Sequence, residues 1–251
     1  MQYQQSDLVV VIPVYNEQEC IEEVITSWGD FLTGYLKTTT FKLLLINDGS
    51  KDNTPTILDQ LANRLSYLQV VHQKNGGHGN AVLNGYHESL KYNPQWVFQV
   101  DSDNQFLPAD FPKLWESREK SNFILGYRKK RYDDANRLVI TRIVRVINLL
   151  FFGVFITDSN VPYRLIKGDY LPKLLNALHG QPFAPNIFLS VLAKRDGNDL
   201  MSIPVTHKER ETGQVSIIKW KLLKVCFRTA GELFNFSFTL KKRLKSLKGT
   251  A

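Results

Sequence analysis

Two carboxylates and a carboxamide follow an apolar run: Asp101, Asp103 and Gln105 in DSDNQ, directly after residues 96–100 (WVFQV). Carboxylates two positions apart, with an amide oxygen two further on, form a hard-oxygen donor set. Such a set suits Mg²⁺ or Mn²⁺ and leaves positions open for phosphate oxygens. The structural alternative is an Asx-rich turn. Against it, burying two carboxylates about 4 Å apart without a cation would cost several kcal/mol through repulsion. The cationic side is equally organised. Arg128, Arg137, Arg142, Arg145, Arg164 and Arg210 offer guanidinium forks to a substrate with more than one phosphate, while Lys129, Lys130 and Arg131 read as solvated charges.

Three further clusters have turn chemistry after short apolar runs. Residues 13–17 (PVYNE) bring a proline stop, a tyrosine ring and a glutamate that could meet a base or ribose, or simply open a helix with acidic residues in its first turn. In residues 47–54 (NDGSKDNT), Asp48 is placed to accept hydrogen bonds from the ring N–H groups of a base, and Asp52 to cap a helix. Residues 75–81 (NGGHGNA) form a glycine-rich entry to a helix that could face an anion. They lack the phosphate-loop and dinucleotide spacings. His78 within them reads as a surface histidine.

These groups need a scaffold that presents strand ends to one side. Residues 8–12, 42–46, 69–72 and 96–100 are β-branched-rich and read as buried strands. Stretches 19–31, 53–66 and 81–91 between them carry helical periodicity, which predicts βαβ units and a parallel sheet. Beyond residue 100 the pattern shifts to helices over 111–118, 137–152, 170–177 and 187–195, with short strands at 123–125 and 200–204. A nucleotide-binding half (1–105) followed by an acceptor-binding half (106–216) is the expected organisation. In such sheets ligands sit at the carboxyl ends of the strands.

The chain has 251 residues, 43% apolar and 22% charged, enough for one sizeable buried core. Its net charge of +8 is confined to the last 45 residues, where eleven basic side chains stand against three acidic ones. Such a surplus raises nucleic acid, an anionic membrane surface or acidic substrates as partners. Two distant cysteines, Cys20 and Cys226, argue for a reducing compartment. The first residues lack the features of a signal peptide. The uncharged run 146–157 is shorter than the ~20 residues of a membrane span.

Together these motifs resemble family 2 glycosyltransferases of GT-A fold, and more narrowly the dolichol- or polyprenyl-phosphate sugar transferase branch. The resemblance covers residues 8–216 through VVIPVYNE, INDGSKDNT, NGGHGNAVLNGY, DSDNQ, GYR at Arg128, RLVITR at Arg137, DSNVPYR and RETG at Arg210. It implies that Pro13, Tyr15, Glu17, Ile46 and Asp48 hold the nucleoside, and that Asp101 and Ser102 border ribose and phosphate. Asp101, Asp103 and Gln105 would ligate Mg²⁺ or Mn²⁺, and Arg128, Arg137 and Arg210 would contact the donor diphosphate and acceptor phosphate. Two departures stand out: Pro162 replaces a glycine of the branch, and His78 stands where relatives often carry lysine.

The implied reaction is inverting transfer of a hexose from a GDP-mannose or UDP-glucose type donor to a polyprenyl or dolichyl phosphate. Asn186 stands where a transferase acting on a hydroxyl would need a carboxylate base, and a phosphate acceptor is already an anion. The alternatives are a family 2 enzyme acting on a glycan hydroxyl and, in another class, a basic nucleic-acid-binding protein. Residues 217–251 interleave aromatics with lysines and read as a basic amphipathic helical tail for an anionic membrane surface, the alternative being a core-packing helix with a solvated basic end. The expectation is a single α/β domain (1–216) plus this tail. It would be peripheral at the cytoplasmic membrane face, with no nucleic acid and with a membrane-protein partner or a second copy as further company.

Overall fold

The computed structural model describes residues 5–129, 135–197, 200–209 and 219–249, with backbone alone for 135–139, 219–226 and 249. The four apolar runs of the first half become β1 (Leu8–Val14), β2 (Phe41–Asn47), β3 (Leu68–His72) and β4 (Trp96–Val100), all parallel. Every side chain of β1 and β4 is buried, as strands covered on both faces require. The crossovers are α1 (Ile21–Tyr35), α2 (Thr54–Arg64) and α3 (His78–Ser89).

The second half contributes α4 (Phe111–Trp115), β5 (Phe123–Arg128), α5 (Ala135–Phe152), β6 (Tyr163–Lys167), α6 (Leu171–Leu178), α7 (Pro185–Arg195), β7 (Leu200–Val205) and α8 (Lys219–Gly249). The seven strands lie in the order β3-β2-β1-β4-β6-β5-β7. β6 runs antiparallel to both its neighbours, while β7 lies parallel to β5.

β6 is the one strand that the sequence reading did not anticipate. Its first two residues, Tyr163 and Arg164, close the DSNVPYR motif. The next three are apolar or long-stemmed, and four of the five side chains are buried. Pro162 immediately precedes the strand, where its missing N–H costs no ladder hydrogen bond. The loop is therefore short and ends in the middle of the sheet.

An aromatic cluster fixes the joint between the halves. The rings of Phe98 and Tyr163 are 4.8 Å apart, those of Phe98 and Phe111 5.1 Å, and those of Trp28 and Phe98 5.4 Å. The first two pairs are edge-to-face, a geometry that at these distances adds to the burial of apolar area. It locks β4, β6, α1 and α4 together beneath the strand ends.

The predicted C-terminal tail is a 31-residue helix, α8, lying on α5, α6 and α7. Leu233, Phe236, Leu240 and Leu247 are buried, and Phe236 meets Phe188 at 5.0 Å and Phe152 at 5.9 Å. Arg243 donates to the carbonyls of Ala177 (2.8 Å) and Leu178 at the end of α6, satisfying groups the helix leaves open. Among the described residues, no helix is long and apolar enough to cross a membrane.

Candidate active site

The loops after β1 and β2 are laced together by side chains. Asn16 adopts a left-handed conformation (φ 54°), which turns the chain sharply between Tyr15 and Glu17. Its N–H donates to Ser50 Oγ (2.9 Å), and its own Oδ1 accepts from Lys51 N–H (2.8 Å). Glu17 N–H donates to Thr54 Oγ1 at 2.9 Å, and Asn53 N–H donates to Gln18 Oε1 at 2.8 Å. Asp52 accepts from Thr54 N–H at 3.0 Å and from Gln18 N–H at 3.3 Å, but the N-cap of α2 is Asn53, one residue later than the sequence placed it. Much of the YNE and DGSKDNT signature therefore serves to fix two loops to each other. Pro13, Tyr15 and Glu17 are left at the cavity wall.

Asp48 lines the same cavity but is almost fully buried. Its Oδ1 accepts from Gln73 Nε2 (2.7 Å) and Gly76 N–H (2.8 Å), and its Oδ2 from Gly77 N–H (2.8 Å). This carboxylate, expected to meet a base, thus also pins the glycine-rich turn. Gly77 sits at φ 87°, a region that side-chain-bearing residues avoid. Two residues on, a Cβ at Gly79 would lie 2.3 Å from the Phe183 carbonyl oxygen. The start of α3 is thereby brought against the segment leading into α7, and the cavity closes between them. Ile46 behaves differently from its predicted partners: it is fully buried in β2 and does not line the cavity.

At the end of β4, Asp101, Ser102, Asp103 and Gln105 all face the cavity. Burial raises the Asp101 carboxyl to about 6; the neighbouring Asp103 pushes the same way, against His78, Arg128 and Arg164. His78 is exposed, as expected from sequence, and it also lines the cavity. Its Nε2 lies 3.8 Å from Asp101 Oδ1, so the residue standing in for lysine keeps a basic group at the acidic strand end. Gln105 Nε2 donates to the Lys208 carbonyl at 3.1 Å, which ties this strand end to the chain after β7. No group of three or more His, Cys, Asp or Glu suited to a metal occurs among the described residues. A divalent cation would rest on Asp101, Asp103, the Gln105 amide oxygen and ligand phosphates. Mg²⁺ is commonly held this way, by one or two carboxylates together with substrate phosphates.

The cations divide into two kinds. Arg128, at the end of β5, forms a bidentate pair with Asp158 at 2.7 and 3.0 Å, and both side chains are nearly buried on the cavity wall. Asp158 was not singled out from sequence, although its place at the head of DSNVPYR was the available signal. Arg164, grouped from sequence with substrate cations, is instead fully buried. Its guanidinium donates to the carbonyls of Val161 (2.6 Å), Ser159 (3.2 Å) and Asn186 (3.0 Å). It is an internal post joining β6 to the loop and to α7. Of Arg137 only the backbone place in α5 is described, and Arg210 lies outside the described residues.

One cavity of about 660 Å³ collects these groups. At one end stand the β1, β2 and β4 strand ends; at the other the wall is apolar, built from Ile140, Ile143, Val144 and Ile147 of α5 and Leu233 of α8. Asn186, second residue of α7, also lines it; it is 3% exposed, and its Oδ1 has no hydrogen-bond partner. A buried acceptor left open costs about 1–3 kcal/mol, and this oxygen is free to accept from water or a ligand.

A mostly parallel sheet with acidic residues at the β4 end, over a cavity that reaches into a helical second half, defines the GT-A class of glycosyltransferases. Residues 9–184 match the family model for glycosyl transferase family 2, and the chain belongs to that family. It is therefore a glycosyltransferase. It is 26% identical over 245 residues to an undecaprenyl-phosphate 4-deoxy-4-formamido-L-arabinose transferase of Pseudomonas fluorescens, covering 96% of this chain and 68% of the relative. The Yersinia pestis protein of the same name is also 26% identical, over 96% of this chain and 71% of its own length. Among solved structures, glucosyl-3-phosphoglycerate synthase from Mycobacterium tuberculosis with uridine diphosphate superposes with a TM-score of 0.66. The identity is 16%, and the match covers 93% of this chain and 80% of that one. The same enzyme with Mn²⁺ and UDP-glucose gives a TM-score of 0.63 at 17% identity, over 92% and 79% of the two chains.

Proposed function

We propose that this glycosyltransferase moves a hexose from a nucleotide-sugar, of GDP-mannose or UDP-glucose type, to a polyprenyl or dolichyl phosphate, with inversion and with Mg²⁺ or Mn²⁺ as cofactor. The observation that carries the reading is the single cavity, acidic and polar at the β-strand ends and apolar between α5 and α8. Relatives named as undecaprenyl-phosphate transferases support the acceptor class, and a fold neighbour solved with Mn²⁺ and UDP-glucose supports the donor and metal classes.

In this reading Pro13, Tyr15, Glu17 and Asp48 bind the nucleoside, Asp48 also by holding the glycine-rich turn in place. Ile46 contributes through the packing of β2 beneath them. Asp101 and Ser102 border ribose and phosphate. Asp101, Asp103 and Gln105 hold the divalent cation, which when bound supplies positive charge to a nucleoside diphosphate leaving group. Arg128, Arg137 and Arg210 are assigned to the donor diphosphate and acceptor phosphate, with Asp158 as the residue that orients Arg128. An oxygen of the acceptor phosphate forms the new bond to the anomeric carbon as the bond to the diphosphate breaks, and the electron pair leaves with the nucleoside diphosphate. No proton need be removed from such an acceptor. In the acceptor half, the one carboxylate among the described cavity residues is Asp158, and its two oxygens are engaged by Arg128. This favours a phosphate over a glycan hydroxyl.

A polyprenyl-phosphate acceptor places the enzyme at a membrane. We assign it to the cytoplasmic face, held peripherally to an anionic surface, with a membrane-protein partner or a second copy as further associates and no role for nucleic acid. Residues 1–216 form the catalytic domain in this reading, and residues 217–251 the tail.

The test has two stages. Nucleoside diphosphates with Mn²⁺ are first screened by thermal shift, where a ligand at about 100 times its Kd adds ~2.7 kcal/mol. Transfer of labelled sugar to detergent-dispersed polyprenyl phosphate follows, with the relatives' substituted arabinose class among the donors. A lipid-soluble labelled product is expected. Failure of every donor, with the nucleotide bound, would overturn the acceptor assignment.

A further inference from the structure

The outer faces of α5 and α8 are apolar where a water-facing helix is polar. On α5, Val146, Leu149 and Leu150 are 54%, 51% and 73% exposed, and Phe155 just beyond it is 60% exposed. On α8 the inward face carries Leu233, Phe236, Leu240 and Leu247. The opposite stripe runs through Phe227, Phe234 and Phe238 and continues one and two turns on as Lys241 and Lys245, all exposed. These positions recur near the 3.6-residue period and form a single line along the helix. The two helices share the face. Phe151 of α5 touches Phe234 at 5.7 Å, and Phe234 touches Phe238 at 4.9 Å.

We infer that this joint face of α5 and α8 is a membrane-docking platform, whose aromatic and aliphatic part enters the headgroup boundary of an anionic leaflet while the lysines at the end of α8 rest on its phosphates. The inference deepens the polyprenyl-phosphate reading above and rests on it for the lipid's route. The charge pattern selects the occupant. Lys241, Lys242, Lys245 and Lys248 are exposed along α8 and Arg142 on α5. The described part of the platform has one acidic residue, Glu232, and it is engaged by Arg228 at 2.9 Å and by Phe183 N–H at 2.9 Å. An apolar face with a basic rim and no free acid complements an anionic lipid surface. A second copy of the same face would bring like charge to like charge.

The placement has a consequence for the acceptor. Ile143 is 52% exposed on α5 and also lines the cavity, as do Thr229 and Ala230 on the neighbouring turn of α8. The cavity mouth therefore borders the platform. A docked bilayer would cover that mouth, and a lipid phosphate would reach the site while its chain stays in the leaflet.

The test is vesicle flotation of the full chain with phosphatidylcholine alone and with added phosphatidylglycerol. The wild type is expected to float with the anionic vesicles. L150S/F234S/F238S should lower that binding at least tenfold, and K241E/K242E/K245E by roughly fivefold per charge. Both variants should keep the nucleoside-diphosphate thermal shift and turnover of detergent-dispersed acceptor, while turnover of vesicle-embedded acceptor falls. Two results would overturn the platform. One is a wild type that uses detergent-dispersed acceptor yet ignores anionic vesicles. The other is a wild-type dimer that L150S/F234S/F238S converts to monomer. Anionic-vesicle binding in a protein that transfers no sugar to polyprenyl phosphate would uphold the platform and remove the acceptor reading instead.

Discussion

The loops at the ends of β1 and β2 and the helical wall of α5 and α8 border one cavity, but opposite means hold them in place. The loops are fixed by directed hydrogen bonds: Asn16 to Ser50 and Lys51, Gln18 to Asp52 and Asn53, and Asp48 to Gly76 and Gly77. The wall is fixed mainly by burial of Leu233, Phe236 and Leu240, with a few bonds from Arg243 and Glu232 of α8 beside it, and presents a second apolar face outward. Directed bonds set positions to within a few tenths of an ångström, which suits polar recognition of a nucleotide. Burial holds a helix while tolerating varied side chains, which suits contact with a lipid.

The largest expected difference between the two regions is catalytic. Asp103→Ala should lower turnover on the order of 10³-fold or more by removing a metal ligand, with little change in melting temperature. A rate near that of the wild type in steady-state assays would return DSDNQ to the status of a turn. Next comes Asp158→Ala, which strands the Arg128 guanidinium without its partner in a nearly buried site. Thermal or urea denaturation should register a loss of about 3 kcal/mol or more, together with a fall in turnover. On the helical wall, Phe236→Ala should cost a similar 3–5 kcal/mol by denaturation. It should leave the ratio of nucleotide affinities for wild type and variant close to one if the two regions are independently fixed.

The acidity of Asp101 sharpens the polar side of the comparison. Its carboxyl is raised from 3.8 to about 6 by burial, so between those values the folded chain retains a proton that the unfolded chain has released. Stability without metal should therefore fall as pH rises through that window and level off above it. Mn²⁺ should offset the fall, and its affinity, followed by calorimetry, should weaken as pH drops below about 6. The smallest effect on folding is expected at Asn186. Asn186→Leu removes a buried acceptor without a partner, so stability should stay within about 1 kcal/mol of wild type. Turnover should nonetheless drop, and an unchanged rate would show that this oxygen meets nothing in the reaction.

The first half of the fold was legible because β1, β4 and most of β2 are buried, β3 is rich in β-branched residues and the helices are regular. Residues 8–12, 42–46, 69–72 and 96–100 all fall within the strands β1 to β4, and the three crossover helices lie where periodicity put them. The acidic strand end was legible for the same reason, since a strand with buried faces leaves its polar residues to the turn that follows. Tyr163 to Lys167 was missed because the motif reading of DSNVPYR competed with a short apolar run, and pairing with β4 and β5 decided the outcome. Arg164 shows the limit most plainly: one guanidinium can meet phosphate or three carbonyls, and only the surrounding backbone selects the carbonyls.

The sequence by itself determined the alternation of β1 to β4 with α1 to α3, the acidic DSDNQ end and the basic, aromatic character of the last 45 residues. These are local properties, written in period, turn chemistry and composition. The tertiary structure decided which charges are spent internally, that His78 faces Asp101, that Asp48 holds the glycine-rich turn and that α5 and α8 share one outward apolar face. Each of those depends on groups distant in sequence meeting at hydrogen-bonding or van der Waals range, and chain spacing does not encode such meetings.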